Sequence, residues 1–330
     1  MTKVPEGGPP PGPPALGASQ AAAYRAVGWA AQRNEGEKEG EMVLKLTESS
    51  PPGAPPQSFT WSGRRLVYED YGDGDRLVVL IHGLLMDARL YRDLARVLAG
   101  RGFRVVLVDL LGHGRSDKPA HAAEYRMDVY ASQVIALLDH LGADRAVLGG
   151  MSLGANVTLQ LAAHHPERVQ GMLLEMPVLE RAVPAAALTF VPALLVVHYA
   201  RPLARAVRWV ASRVATGHDV LDGALSPLCS PPEVTTAVLH GILVGPTVPT
   251  VEERRRITAP ALVVGHRADV IHPFSDAEAL VRQLANGRLV RASNIAELRM
   301  QPRRLLAEID SFLADVWGGE LAPVVVADTG

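Results

Sequence analysis

Five short apolar runs carry no polar alternation: Leu77–Ile81, Val105–Val108, Ala146–Leu148, Met172–Leu174 and Ala261–Val264. A strand with one wet face alternates apolar and polar residues; a strand covered on both faces does not. These runs therefore demand a sheet held between two layers of helix. Helical periods fill the intervals. Leu90, Leu94 and Leu98 mark one face of a helix that stops at Gly100, and Val129, Val134, Leu137 and Leu138 mark another. Strands alternating with helices of this length imply right-handed crossovers and a mostly parallel sheet, so the expected class is α/β. Phe59–Trp61 and Arg65–Glu69 predict an antiparallel pair ahead of it, with Tyr71–Asp75 as the following turn. Arg288–Val290 reads as the last strand, leading into a helix with Leu305, Ile309 and Leu313 on its apolar face.

Between Pro177 and Arg256 the strand rhythm stops and the chain becomes helical and apolar, which predicts a lid inserted between two sheet strands. The expected division is a core of residues 58–177 and 256–317, a lid of 178–255, and terminal segments of 1–57 and 318–330. The longest uncharged run, Ala182–Ala200, contains Pro184, Pro192 and His198, and a membrane span needs roughly 20 mostly apolar residues. Arg201, Arg205, Arg208 and Arg213 follow, with Leu203, Val207 and Val210 between them at helical spacing. The expectation is a lid helix over an apolar pocket; a helix lying at a membrane surface is the alternative.

Residues 1–57 hold ten of the 25 prolines, which rule out a continuous helix or central strand there and predict a flexible segment with at most a short helix near Ala21–Gln32. Pro9–Pro14 interrupt the apolar stretch that a secretory signal needs, making cytoplasm the expected compartment. Val324–Val326 is a candidate edge strand in the tail. Thirty-three basic against 35 acidic residues leave a net charge of −2, too little field to gather nucleic acid. The single cysteine, Cys229, excludes an internal disulfide and a Cys-rich zinc site.

The chemistry is expected where strands end. Gly150-Met151-Ser152-Leu153-Gly154 follows the run Ala146–Leu148 and precedes the helical pattern Ala155, Leu159, Ala162. This is the strand–turn–helix setting in which a G-x-S-x-G elbow presents its serine as a nucleophile; a structural serine in a tight loop is the competing reading. Upstream, His82-Gly83-Leu84-Leu85 directly follows Leu77–Ile81. The N–H groups of Leu84 and Leu153 are candidates to receive the oxygen of a tetrahedral intermediate, with His82 shaping the loop rather than exchanging protons. A third signature, Asp109-Leu110-Leu111-Gly112-His113-Gly114-Arg115-Ser116-Asp117, is a glycine-rich turn without the Gly-Lys-Ser/Thr ending of a phosphate loop.

With these three segments in this order, the chain resembles the α/β-hydrolase superfamily from about Phe59 to Trp317. The resemblance implies an eight-stranded, mostly parallel sheet, a nucleophile at the elbow, an acid after a later strand and a histidine near the end. Ser152 takes the nucleophile's place, unlike the haloalkane dehalogenase and epoxide hydrolase branches, whose nucleophile is a carboxylate. Val263-Val264-Gly265-His266-Arg267-Ala268-Asp269 matches the family's strand, glycine and aspartate, placing the acid at Asp269, with Glu175 in reserve.

The terminal histidine breaks the pattern. The family's position for the base falls on Ile295 in Ser293-Asn294-Ile295-Ala296-Glu297-Leu298, and no histidine follows His272. Isoleucine cannot accept a proton from serine. His272, on the acid's own loop, is the best-placed substitute, ahead of His266, His198, His218 and His240. The alternative is a site that binds a ligand without hydrolysing it. The leading expectation is a serine hydrolase of a small, largely apolar ester, thioester or lactone. Its acyl pocket would be supplied by Leu188, Phe190, Leu194, Leu195 and Trp209 of the lid, and no metal or organic cofactor is implied.

Overall fold

A computed structural model describes residues 53–318, apart from positions 215, 268, 270 and 301. The segment before residue 53, with the expected helix at Ala21–Gln32, and the tail with Val324–Val326 lie outside the described residues. Eight strands form one sheet: β1 (Gln57–Trp61), β2 (Arg64–Tyr71), β3 (Arg76–Ile81), β4 (Phe103–Asp109), β5 (Ala146–Met151), β6 (Val169–Glu175), β7 (Ala261–His266) and β8 (Gly287–Ala292). Their spatial order is β1-β2-β4-β3-β5-β6-β7-β8. β1 pairs antiparallel with β2, and β2 antiparallel with β4; every other neighbour is parallel. The helices are α1 (Arg92–Ala99), α2 (Met127–His140), α3 (Leu153–His164), α4 (Val183–Tyr199), α5 (Arg201–Ala211), α6 (Asp219–Cys229), α7 (Pro232–Val244), α8 (Val251–Arg255), α9 (Phe274–Gln283), α10 (Glu297–Met300) and α11 (Arg303–Trp317).

The unalternating runs behave as buried strands must. Successive residues of β3 point to opposite faces, and both faces are covered. Val79 and Ile81 pack into the layer holding Val134, Leu137 and Leu138 of α2, whereas Val78 and Leu80 pack with Leu94 and Leu98 of α1 and Ile309 and Leu313 of α11. Burying each such side chain contributes roughly 1.5–3 kcal/mol before chain entropy is subtracted. The layers also fix where the strands end, since the parallel strands β3, β5, β6 and β7 discharge their C-termini along one edge of the sheet.

Helices α4 to α8 lie between β6 and β7, and buried polar contacts pin both roots of this insertion. Asp276 at the start of α9 accepts from the N–H groups of Leu179 and Ala182, each at 3.0 Å. Asn156 of α3 donates to the carbonyls of Val178 and Thr247, both at 2.8 Å, so it ties the entry to the exit. Arg254 of α8, fully buried, donates to Gln283, the Pro249 carbonyl and Glu180, each at 2.7 Å. A buried guanidinium without such partners would cost several kcal/mol.

The insertion has two layers. The inner one is α6, on the short turn Ala88–Tyr91, and α7, on the turn Ala122–Tyr125; α7 buries Val234, Ala237, Val238 and Leu239. The outer one is α4, packed on α7, and α5, packed on α6, and neither outer helix contains a buried residue. This corrects the expected acyl pocket. Leu188 is 79% exposed, Trp209 60% and Leu195 48%, because they point away from α6 and α7; Phe190 and Leu194 are only half-buried. Among the described residues no single helix is long and apolar enough to cross a membrane, and α4 and α5 meet at a 100° bend.

Candidate active site

Ser152 sits between the end of β5 and the start of α3, with φ 53° and ψ −105°. A non-glycine residue held there costs about 1–3 kcal/mol and persists only when its surroundings impose it. Two hydrogen bonds do so: the Ser152 N–H donates to the Glu175 carbonyl at 2.9 Å, and the Ser152 carbonyl accepts from the Asn156 N–H at 3.0 Å. The flanking glycines allow the crossing beneath. A Cβ on Gly150 would stand 2.1 Å from the Ile81 carbonyl oxygen, and one on Gly154 2.2 Å from the same atom. The turn is thus sharp because β5 and α3 both press against the end of β3.

The loop after β3 lies against the elbow. A Cβ on Gly83 would stand 2.7 Å from Met151 Cε and 3.2 Å from Met86 Sδ, the tips of two flexible side chains that pack over this loop. His82 is wholly buried and locked in one tautomer. Its Nε2 accepts from the Leu110 N–H at 3.1 Å, leaving Nδ1–H to donate to the Gly83 carbonyl at 2.8 Å. Burial depresses its pKa against the opposing pull of Asp109, so it stays neutral and structural. Leu84 follows in this loop, and Leu153 opens α3, where a first-turn N–H has no intrahelical acceptor.

The acid and imidazole come from one loop after β7. His272 Nε2 lies 2.9 Å from Ser152 Oγ, and His272 Nδ1 lies 2.8 Å from Asp269 Oδ2. The other carboxylate oxygen of Asp269 accepts from the N–H groups of Ile271 at 2.8 Å and His272 at 3.0 Å, so the loop curls around its own aspartate. Burial alone would raise the Asp269 pKa. The bond to His272, its charge and the two backbone donors outweigh that and lower it to about 2. A carboxylate accepting that many bonds stays ionised at neutral pH and holds Nδ1 protonated, leaving Nε2 free to accept from serine.

The segment after β8 does something else. Ile295 is 54% exposed. Four residues on, Arg299 of α10 is buried and donates through both terminal nitrogens to Glu175, each at 2.7 Å. Burial opposes the charge on Glu175, but Arg299 prevails and lowers its pKa to about 2. Tyr91 donates to the same carboxylate at 3.2 Å, and Arg299 lies 3.6 Å from Sδ of Met151, the residue before Ser152. Glu175, the reserve acid, is thereby committed to an ion pair. His266 is buried with Nε2 3.5 Å from Glu175, while His198 and His240 are exposed and His218 precedes α6. Sequence reasoning missed Arg299; its signal was the buried carboxylate at a strand end, which requires a cation from somewhere. A separate cleft of about 330 Å³ is lined by Asp87, Arg89, Asp109, Arg115, Lys118 and Ser226, among others. Arg89 is met by Asp87 at 2.7 Å and Arg115 by Asp109 at 3.3 Å, Lys118 donates to the carbonyls of His113, Gly114 and Ser116, and neither Ser152 nor His272 lines the cleft. Among the described residues no cluster of three or more His, Cys, Asp or Glu is arranged to hold a metal ion.

The family model for the alpha/beta hydrolase fold matches residues 76–220. Epoxide hydrolase B of Mycobacterium tuberculosis is 37% identical over 108 residues, covering 32% of this chain and 30% of that protein. A haloalkane dehalogenase of Mycolicibacterium paratuberculosis is 33% identical over 127 residues, 37% of this chain and 42% of the relative. The chain thus spans well under half the length of these curated relatives. Among solved structures, the enol-lactonase of Burkholderia xenovorans superposes with a TM-score of 0.64 at 22% identity, covering 78% of this chain and all of that one. Such a likeness carries the fold.

Proposed function

We propose that this chain, which belongs to the α/β-hydrolase fold superfamily, is a serine-dependent hydrolase of a small ester, thioester or lactone. The observation that carries the reading is the run of contacts from Ser152 Oγ through both ring nitrogens of His272 to Asp269, at 2.9 and 2.8 Å. A serine hydroxyl is a poor nucleophile until a base takes its proton, and an imidazole oriented by an ionised carboxylate is suited to that task. In the proposed reaction Ser152 Oγ attacks the substrate carbonyl carbon while His272 Nε2 accepts the hydroxyl proton. The N–H groups of Leu84 and Leu153 receive the oxyanion. Collapse expels the alcohol or thiol, which takes the proton from His272. Water, activated by the same nitrogen, then attacks the acyl-serine and restores the hydroxyl. Serine at position 152, in place of a carboxylate, favours acyl chemistry over the reactions named for the epoxide hydrolase and dehalogenase relatives. The outward-facing Leu188, Leu195 and Trp209 withdraw the support for a lid-built acyl pocket, so the proposal specifies the carbonyl and not the chain attached to it.

A fluorophosphonate probe tests the reading. Rapid labelling of the wild type that disappears in Ser152→Ala is the expected result. A folded wild-type chain that resists labelling would overturn it in favour of the ligand-binding alternative.

A further inference from the structure

Helix α4 shows a stripe of Leu188, Val191, Leu195 and Tyr199 at spacings of three or four residues, exposed by 79%, 39%, 48% and 78%. Helix α5 repeats the arrangement with Leu203, Val207 and Val210, exposed by 62%, 41% and 55%. An amphipathic helix of a soluble domain normally turns such a stripe inward. Here both stripes face out, because the inner flanks are taken by α6 and α7. Exposed apolar stripes of this kind mark an interaction surface.

The charges on the flank of α5 opposite its apolar stripe select the occupant. From Val183 to Ala211 there is no Asp or Glu, whereas Arg201, Arg205 and Arg208 lie on α5 and Arg213 just beyond it. Arg205 is paired with Glu233 at 2.5 Å. Arg201 and Arg208 donate to the carbonyls of His198 and Cys229, and Arg213 covers the Trp209 ring at 3.8 Å, so these three keep their net charge. A second copy docking on the same patch across a two-fold axis would set these arginines against themselves. An anionic lipid surface offers the complement: an apolar stripe inserts at the headgroup boundary while arginines reach phosphate and Trp209 and Tyr199 sit at the interface. The 100° bend between the two helices breaks any single straight span, which suits a face resting on such a surface rather than crossing it.

We infer that the α4–α5 face docks on anionic membrane lipid, independently of what Ser152 does. The test is cosedimentation of the full 330-residue chain with large unilamellar vesicles, either of phosphatidylcholine alone or of phosphatidylcholine with phosphatidylglycerol. Binding to the anionic vesicles and not to the neutral ones is expected. Arg208→Gln with Arg213→Gln is expected to weaken it about 25-fold, near fivefold for each arginine. Leu188→Asp with Leu203→Asp is expected to abolish it; these side chains already stand in water, so the melting curve stays that of the wild type. Absence of binding to either vesicle would overturn the inference, as would equal binding to both. So would a stable dimer in light scattering that the Leu188→Asp, Leu203→Asp variant dissolves.

Discussion

The loops after β7 and β8 stand at the ends of neighbouring parallel strands, yet they hold opposite chemistry. The β7 loop carries a carboxylate and an imidazole three residues apart, both partly open to solvent, and the imidazole reaches Ser152. The segment after β8, where the family pattern expects the imidazole, exposes Ile295 and sends Arg299 inward to a buried carboxylate. Adjacent strands are separated by only about 4.8 Å, so a side chain as long as histidine reaches the same point from either strand end. What the proposed reaction requires is an imidazole nitrogen within bonding distance of serine; the strand that delivers it is exchangeable.

Breaking the β7 side has the largest expected effect. His272→Ala lowers turnover by ~10²–10⁴-fold in a steady-state ester assay, with substrate binding little changed. Adding Ile295→His to that variant is expected to restore nothing, because position 295 is 54% exposed and its side chain is turned to solvent rather than toward Ser152 and Asp269; recovery of turnover would erase the distinction between the loops. Asp269→Asn is expected to reduce turnover by up to ~10⁴-fold through loss of the tautomer that points Nε2 at serine. Breaking the β8 side gives a different signature. Arg299→Leu leaves Glu175 buried without its guanidinium partner, and denaturant unfolding is expected to show a loss of about 3–5 kcal/mol. Replacing both, Arg299→Leu with Glu175→Leu, recovers most of that stability.

The smallest effect is in the acid range, where both loops contribute with the same sign. Asp269 and Glu175 each have a folded pKa lowered to about 2, from 3.8 and 4.5. Between these values the unfolded chain binds more protons than the folded one, so stability rises with pH across the window. It is fully present above about 4.5 and is lost as pH falls toward about 2. Melting temperatures measured across that range should fall on acidification, and less steeply in Glu175→Gln, which is also less stable at neutral pH.

Much of the fold was legible because burial on two faces leaves a direct trace: Leu77–Ile81, Val105–Val108 and Ala261–Val264 have no polar positions, and each is a central strand. The elbow was legible because only glycine tolerates the Ile81 carbonyl at 2.1–2.2 Å from a would-be Cβ. His272 was one candidate among five, since the order of residues along a chain does not encode which loop tip reaches a hydroxyl 120 residues away. The stripes on α4 and α5 were visible as periodicity, but a period shows that a face exists and not which way it turns. Arg299 and Glu175, 124 residues apart, belong to the same class: the pair exists only once β6 and α10 have come together.

The aspartate that curls its own loop around itself has a mechanical consequence. Acid and imidazole ride on one short, self-tied piece of backbone, so their mutual spacing is indifferent to small shifts between strands. Only the gap to the hydroxyl is adjustable. Any event that displaces the tip of β7 moves both partners as a unit, giving the molecule one mechanical coordinate that sets the distance from His272 to Ser152.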